Sequence, residues 1–164
     1  MAGTRRIQPA KWPGDAPEIL SYVYKTSEAI LRGSLVVLDG DGLLTVCGAD
    51  PAAVLGVALE AAESRPGYDM ANSPTVVTGR KQEVSVAVAN RLTIFSMRGV
   101  NGGTDPVTPT QTMVGEIYGA LADANGVWTL DLAETTADVF QIVDVDIDNK
   151  IFFCKFLEAV IQTP

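Results

Sequence analysis

Two glycine-set turns, Asp39-Gly40-Asp41-Gly42 and Asp123-Ala124-Asn125-Gly126, most narrowly limit what this chain can fold into. Each stands between short apolar runs: Val36-Val37-Leu38 and Leu43-Leu44-Thr45 around the first, Val114-Gly115-Glu116-Ile117-Tyr118-Gly119 and Val127-Trp128-Thr129-Leu130-Asp131-Leu132 around the second. Asp-Gly and Asn-Gly pairs reach the positive φ angles of tight hairpin turns at little steric cost, so both stretches predict antiparallel hairpins.

The β pattern extends through the rest of the chain. Ser21-Tyr22-Val23-Tyr24-Lys25, Gly56-Val57-Ala58-Leu59-Glu60, Thr75-Val76-Val77, Glu83-Val84-Ser85-Val86-Ala87-Val88 and Leu92-Thr93-Ile94-Phe95 all have strand density of β-branched, aromatic or alternating residues. Asn90-Arg91 predicts a turn, and residues 139–145 and 151–161 predict a long closing hairpin across Asp146-Ile147-Asp148-Asn149-Lys150. Asp50-Pro51-Ala52-Ala53, an N-cap followed by a proline, predicts one helical turn. Thr104 or Asp105 is placed to cap another at Pro106. Residues 64–74 and 99–112, rich in Gly, Pro, Asn and Ser, read as long loops. Eight or more short strands without a long helical period predict an all-β fold, a small barrel or a sandwich, and leave no crossover helix for a doubly wound sheet. At 164 residues the chain is one domain's length, enough to bury roughly two thirds of its unfolded surface without metal or disulfide.

The first 21 residues read differently, as an extended arm ahead of a single β domain over residues 22–164. Pro9, Pro13 and Pro17 recur every four residues, which removes helix donors and biases the preceding residues to extended backbone. Ile7, Trp12, Ile19 and Leu20 are its apolar anchors, and Trp12 must bury its ring either on the chain's own domain or on a partner. Arg5, Arg6 and Lys11 give the first twelve residues +3 with no acid, whereas residues 99–164 hold ten Asp and Glu against Lys150 and Lys155, in a chain of net charge −8. A body this acidic repels phosphates, so nucleic acid is not an expected partner. The basic arm suits an acidic protein surface, including a neighbouring copy, unless it is simply a solvated terminus. In the loop at 64–74, Tyr68 and Met70 either make contacts with a partner or fold back on the domain.

The chemistry-bearing residues are few. The chain has no histidine, which removes the commonest general base and metal ligand. No nucleophile elbow, phosphate loop, dinucleotide fingerprint or Cys-x-x-Cys pair occurs. An EF-hand reading of Asp39 onward fails, because its fifth, sixth and twelfth positions are Leu43, Leu44 and Asp50. Asp144, Asp146 and Asp148 alternate along one strand end and read as a solvated tip rather than a cation site. Ser27 beside Lys25 lacks any surrounding motif, while a spatial pair of carboxylates is beyond what spacing alone can exclude. Cys47 and Cys154 lie inside apolar runs and read as buried free thiols, consistent with a reducing cytoplasm. No catalytic, cofactor or metal site is expected. The basic N-terminus lacks the apolar stretch of a secretory signal, and no window is long enough to span a bilayer.

The order Gly33-Ser34-Leu35-Val36, Asp-Gly turn, Pro51-Ala52-Ala53, Gly56-Val57-Ala58-Leu59 resembles that of the decoration, or cement, proteins of tailed-bacteriophage capsids. Gly115-Glu116-Ile117-Tyr118-Gly119, Gly126-Val127-Trp128-Thr129-Leu130-Asp131 and the closing hairpin are similar to small phage structural proteins. The resemblance implies a barrel-like or β-tulip subunit, usually a homotrimer, made in the host cytoplasm and seated on the outer surface of the virion. There it would clamp neighbouring major capsid proteins through an arm that orders on the shell. On that reading Arg5, Arg6, Ile7, Lys11, Trp12, Ile19, Tyr68 and Met70 face the capsid or a neighbouring subunit. The alternative is a carbohydrate-binding or fibre-base β module on the virion surface.

Overall fold

The computed structural model describes residues 6–11, 17–25, 28–62, 83–103 and 105–163, with only the backbone of Lys11. The chain is all-β, built from two open sheets rather than a closed barrel. The strands are β1 (Gln8–Lys11), β2 (Ile19–Val23), β3 (Leu35–Leu38), β4 (Leu44–Val46), β5 (Gly56–Ala58), β6 (Glu83–Val88), β7 (Ile94–Met97), β8 (Gly99–Val100), β9 (Pro106–Val107), β10 (Ile117–Ala122), β11 (Trp128–Asp131), β12 (Phe140–Asp146) and β13 (Ile151–Phe156). Eight form one sheet, in the order β1-β7-β13-β12-β10-β11-β8-β9, and five form the other, β2-β6-β5-β3-β4. All neighbours are antiparallel except β8 and β11.

The three inner strands of the five-stranded sheet, β6, β5 and β3, are buried on both faces for most of their length, and their sequences show why. Along β3, β5 and β6 nearly every residue is apolar, the pattern of strands with no solvent side. Leu35, Val57 and Ala87 point into a core shared with the larger sheet, where they meet Phe95, Met97, Phe140, Phe152 and Phe156. Their neighbours Val36, Ala58 and Val86 point the other way, into a second core with Tyr24, Ile30, Leu44, Leu55 and Ala62. The sheet curls around that second core until its ends meet at one bridge, Tyr24 to Leu44, with the Lys25 N–H donating to the Leu44 carbonyl at 2.9 Å. This curl is as near as the described residues come to the small barrel that the strand count allowed as an alternative to a sandwich. Gly56 is fixed by packing: a Cβ there would run into the Ala87 carbonyl of β6.

The two predicted turns are built alike, one in each sheet. Asp39 Oδ1 accepts from the N–H groups of Asp41 (2.9 Å) and Leu43 (3.0 Å), and Asp123 Oδ1 accepts from those of Asn125 (2.8 Å) and Val127 (2.9 Å). Gly42 and Gly126, three residues on, take φ of +74° and +72°, where a side chain would be strained. Six residues after each aspartate a threonine, Thr45 or Thr129, donates its hydroxyl to the carbonyl across the ladder, Val37 or Leu121.

Three expectations are corrected. Residues 50–53 form no helical turn, because Asp50 takes φ +50° and the chain runs straight on to Val54, which bridges to Ile161. Pro106 begins the short strand β9, not a helical turn. The closing hairpin's second strand stops at Phe156, after which Glu158–Val160 makes a 3-10 turn. The arm is extended, yet it is not separate from the domain: β1 is an edge of the larger sheet and β2 an edge of the smaller. At the other terminus the Gln162 amide clamps β3, accepting from the Leu38 N–H (2.8 Å) and donating to the Leu38 carbonyl (3.1 Å).

Both cysteines are free and buried in the shared core. Burial pushes the Cys47 thiol up to about 12 and the Cys154 thiol upward as well. A thiol that ionises more readily unfolded than folded stabilises fully below the unfolded value and less as pH rises past it. Native protein is therefore expected to leave both thiols unreacted with a chromogenic disulfide, and denatured protein to release two. Urea midpoints should fall as pH rises above about 9, less steeply in Cys47→Ala than in the parent chain.

Candidate binding surface

The residues expected to face a partner separate into three groups. Arg5, Trp12, Tyr68 and Met70 lie outside the described residues, as do Thr75-Val76-Val77 and the loop at 64–74; Lys11 is described only as the last residue of β1, opposite Ile94. Ile7 is 2% exposed and packs in the shared core, so this side chain is closed to a partner in the folded chain. Arg6 and Ile19 are open to contact.

Arg6 precedes β1 and donates from its guanidinium to the Arg32 carbonyl at 2.9 Å. That bond ties the Arg6 guanidinium to the backbone at Arg32, 26 residues on in sequence, on an acidic body. Nothing in the sequence spacing pairs them. Ile19 begins β2 and is 55% exposed, and Leu20 beside it is 38% exposed. Because side chains alternate across a strand, both faces of β2 present apolar surface at its N-terminal end. Glu18 precedes them, and the neighbouring Tyr22 phenol is held above its ordinary pKa by partial burial first and the Glu18 charge second. Among the described residues, Leu92, Val114, Ile117 and Ile147 are the other large apolar side chains left exposed.

The acids turn largely to structural use. Asp39 sits below the usual carboxylate range because the Leu43 N–H, then the Lys25 ammonium at 3.0 Å, favour its charged form. Glu134 is lowered too, by the Thr136 hydroxyl and the backbone N–H groups of Thr136 and Ala137. In the acidic row, Asp144 Oδ1 accepts from the Val145 N–H where the β12–β13 register shifts, and Asp146 accepts from both the backbone and the side-chain amide of Asn149. Asp144 and Asp146 stay two apart in the regular ladder beyond the bulge, and Asp148 alone leaves the strand, in the turn at the hairpin tip. Among the described residues no three His, Cys, Asp or Glu come together as metal ligands. No helix in the described residues is long and apolar enough to cross a membrane.

No family model matches the chain, and no curated protein matches it significantly.

The contrast between Ile7 and Ile19 is open to direct measurement. Ile7→Ala removes buried methyl groups from the shared core and should lower unfolding stability by about 2–5 kcal/mol. Ile19→Ala should leave it within about 0.5 kcal/mol of the parent, as for a surface position. Chemical denaturation of the two variants reads both values, and equal losses would contradict the placement of the arm.

Proposed function

We propose that the chain is a capsid decoration protein, which binds the outer surface of an icosahedral phage head and strengthens contacts between major capsid protein subunits. The observation that carries this reading is the Arg6 guanidinium held by the Arg32 backbone carbonyl, which brings two basic residues together on a body with net charge −8. Close by in sequence, β2 leaves Ile19 and Leu20 in solvent. A local cationic spot on an acidic subunit selects an acidic docking surface and repels others, which gives orientation more than affinity. The exposed aliphatic side chains of β2 supply apolar area for contact. The resemblance of residues 28–62 to cement proteins points to the same task. Such a protein works by contact area: binding the assembled lattice and not loose subunits stabilises the shell by mass action.

The test is co-sedimentation with expanded heads of the phage that encodes the chain, against unassembled capsid subunits as control. Saturable uptake by heads and a higher temperature of head disruption are expected, with little binding to loose subunits. Arg6→Glu with Arg32→Glu should reduce uptake about tenfold or more, while the folded chain keeps its strand spectrum. Deleting residues 1–20 is a poor test, since it removes Ile7 from the core and β1 from the sheet. Heads that take up no protein at any concentration would contradict the proposal.

A further inference from the structure

Sheet edges are where β proteins are most open to pairing with another chain, and three of the four edges here are blunted. β1 carries Pro9 and a register irregularity before Lys11. β9 is two residues long and starts with Pro106. β4 is three residues long, and its Val46 N–H is taken by the Glu28 carboxylate at 3.3 Å. β2 is different. It runs five residues, Ile19–Val23, with no proline, lysine or bulge, and its first three residues are exposed.

The direction of its free backbone groups follows from the ladder. The Val88 N–H donates to the Glu18 carbonyl at 2.9 Å, and Ile19 faces Ala87 in the antiparallel register. Hydrogen-bonded pairs alternate along such a ladder, so Leu20 and Tyr22 bond to β6 while Ile19, Ser21 and Val23 turn their N–H and C=O groups outward. Lys25, the next residue of that parity, does find a partner on the outer side, the Leu44 carbonyl. Among the described residues, the open part of the edge is therefore Ile19 to Val23.

We propose that this edge pairs with the same edge of a second copy, antiparallel about a two-fold axis at Ser21. A two-fold between identical strands sets one residue opposite itself, and since hydrogen-bonded and non-bonded pairs alternate, that residue can be any of Ile19, Leu20, Ser21, Tyr22 and Val23. Centring on Ile19 or Leu20 brings Pro17, which has no N–H, into the ladder, opposite Ser21 or Val23 respectively. Centring on Tyr22 or Val23 calls on the Lys25 N–H, already bonded to Leu44. Centring on Ser21 uses the whole strand. Ile19 then faces Val23 of the second copy, Leu20 faces Tyr22, and Ser21 faces Ser21, so every apolar side chain meets an apolar one. The two Glu18 carboxylates fall at opposite ends, about 20 Å apart at about 3.4 Å per residue, and do not oppose the contact. The two five-stranded sheets become one continuous sheet across the axis.

The contact makes pairs, whereas the resemblance to cement proteins implies trimers, and it is independent of any shell. Its test uses the full chain alone. Sedimentation equilibrium over a wide concentration range should show a reversible monomer–dimer equilibrium with a limit of twice 17.3 kDa. Ser21→Pro removes an outward N–H and no bond to β6. It and Ile19→Lys should each weaken association about tenfold or more. Amide exchange followed by NMR gives a readout that needs no variant: Ile19, Ser21 and Val23 should exchange rapidly in dilute protein and become protected on concentration, while Leu20 and Tyr22 stay protected throughout. If Ser21→Pro fails to fold, Ile19→Lys and the exchange pattern decide. A monomer at every concentration, a trimer, a dimer indifferent to Ile19→Lys, or association without new protection at those three amides would each overturn the proposal.

Discussion

The structure depends on the burial of the inner strands of the five-stranded sheet, β6, β5 and β3, on both faces. β6 sends Val84 and Val86 into one core and Ala87 into the other, and β3 and β5 divide in the same way. Each of these strands is thus held from two sides. A polar residue at an alternate position, harmless in a half-exposed sheet, would be left here without water or a partner. The curl of the sheet, the close approach at Gly56 and the bridge from Tyr24 to Leu44 all follow from enclosing the smaller core with short strands. Two open sheets joined by the larger core also leave edges, and the N-terminal segment supplies one to each.

What was legible in the sequence is what local chemistry decides. The Asp-Gly and Asn-Gly turns lie where their positive-φ glycines require, and the strands between them follow the apolar runs. Assignment of strands to sheets was not legible, because it is settled by distant partners. The Asn90-Arg91 turn looks like any hairpin turn, with Asn90 Oδ1 accepting from the N–H groups of Leu92 and Thr93, yet it carries the chain from one sheet to the other. The match between the two aspartate turns was written in the sequence, as aspartate with glycine three residues on and threonine six on; its meaning emerges only from the paired hydrogen bonds.

For the candidate surface the limit is of the same kind. Proline spacing reveals that the first residues are extended, but not that Ile7 turns inward while Ile19 turns outward. Charge along the chain shows a basic start on an acidic body, but not that Arg6 lies against Arg32. Both distinctions bear on function. They move the proposed contact from a loose arm to a surface fixed on the domain, where the geometry of docking is set before a partner arrives and little ordering entropy opposes binding.

The reading as a decoration protein is tested most directly by electron cryomicroscopy of heads carrying the chain. The account predicts two-sheet subunits on the outer face of the shell, across junctions between capsid proteins, with Arg6 and Arg32 against an acidic surface. A bare outer face, or density for the chain only inside the head or at the tail, would contradict it.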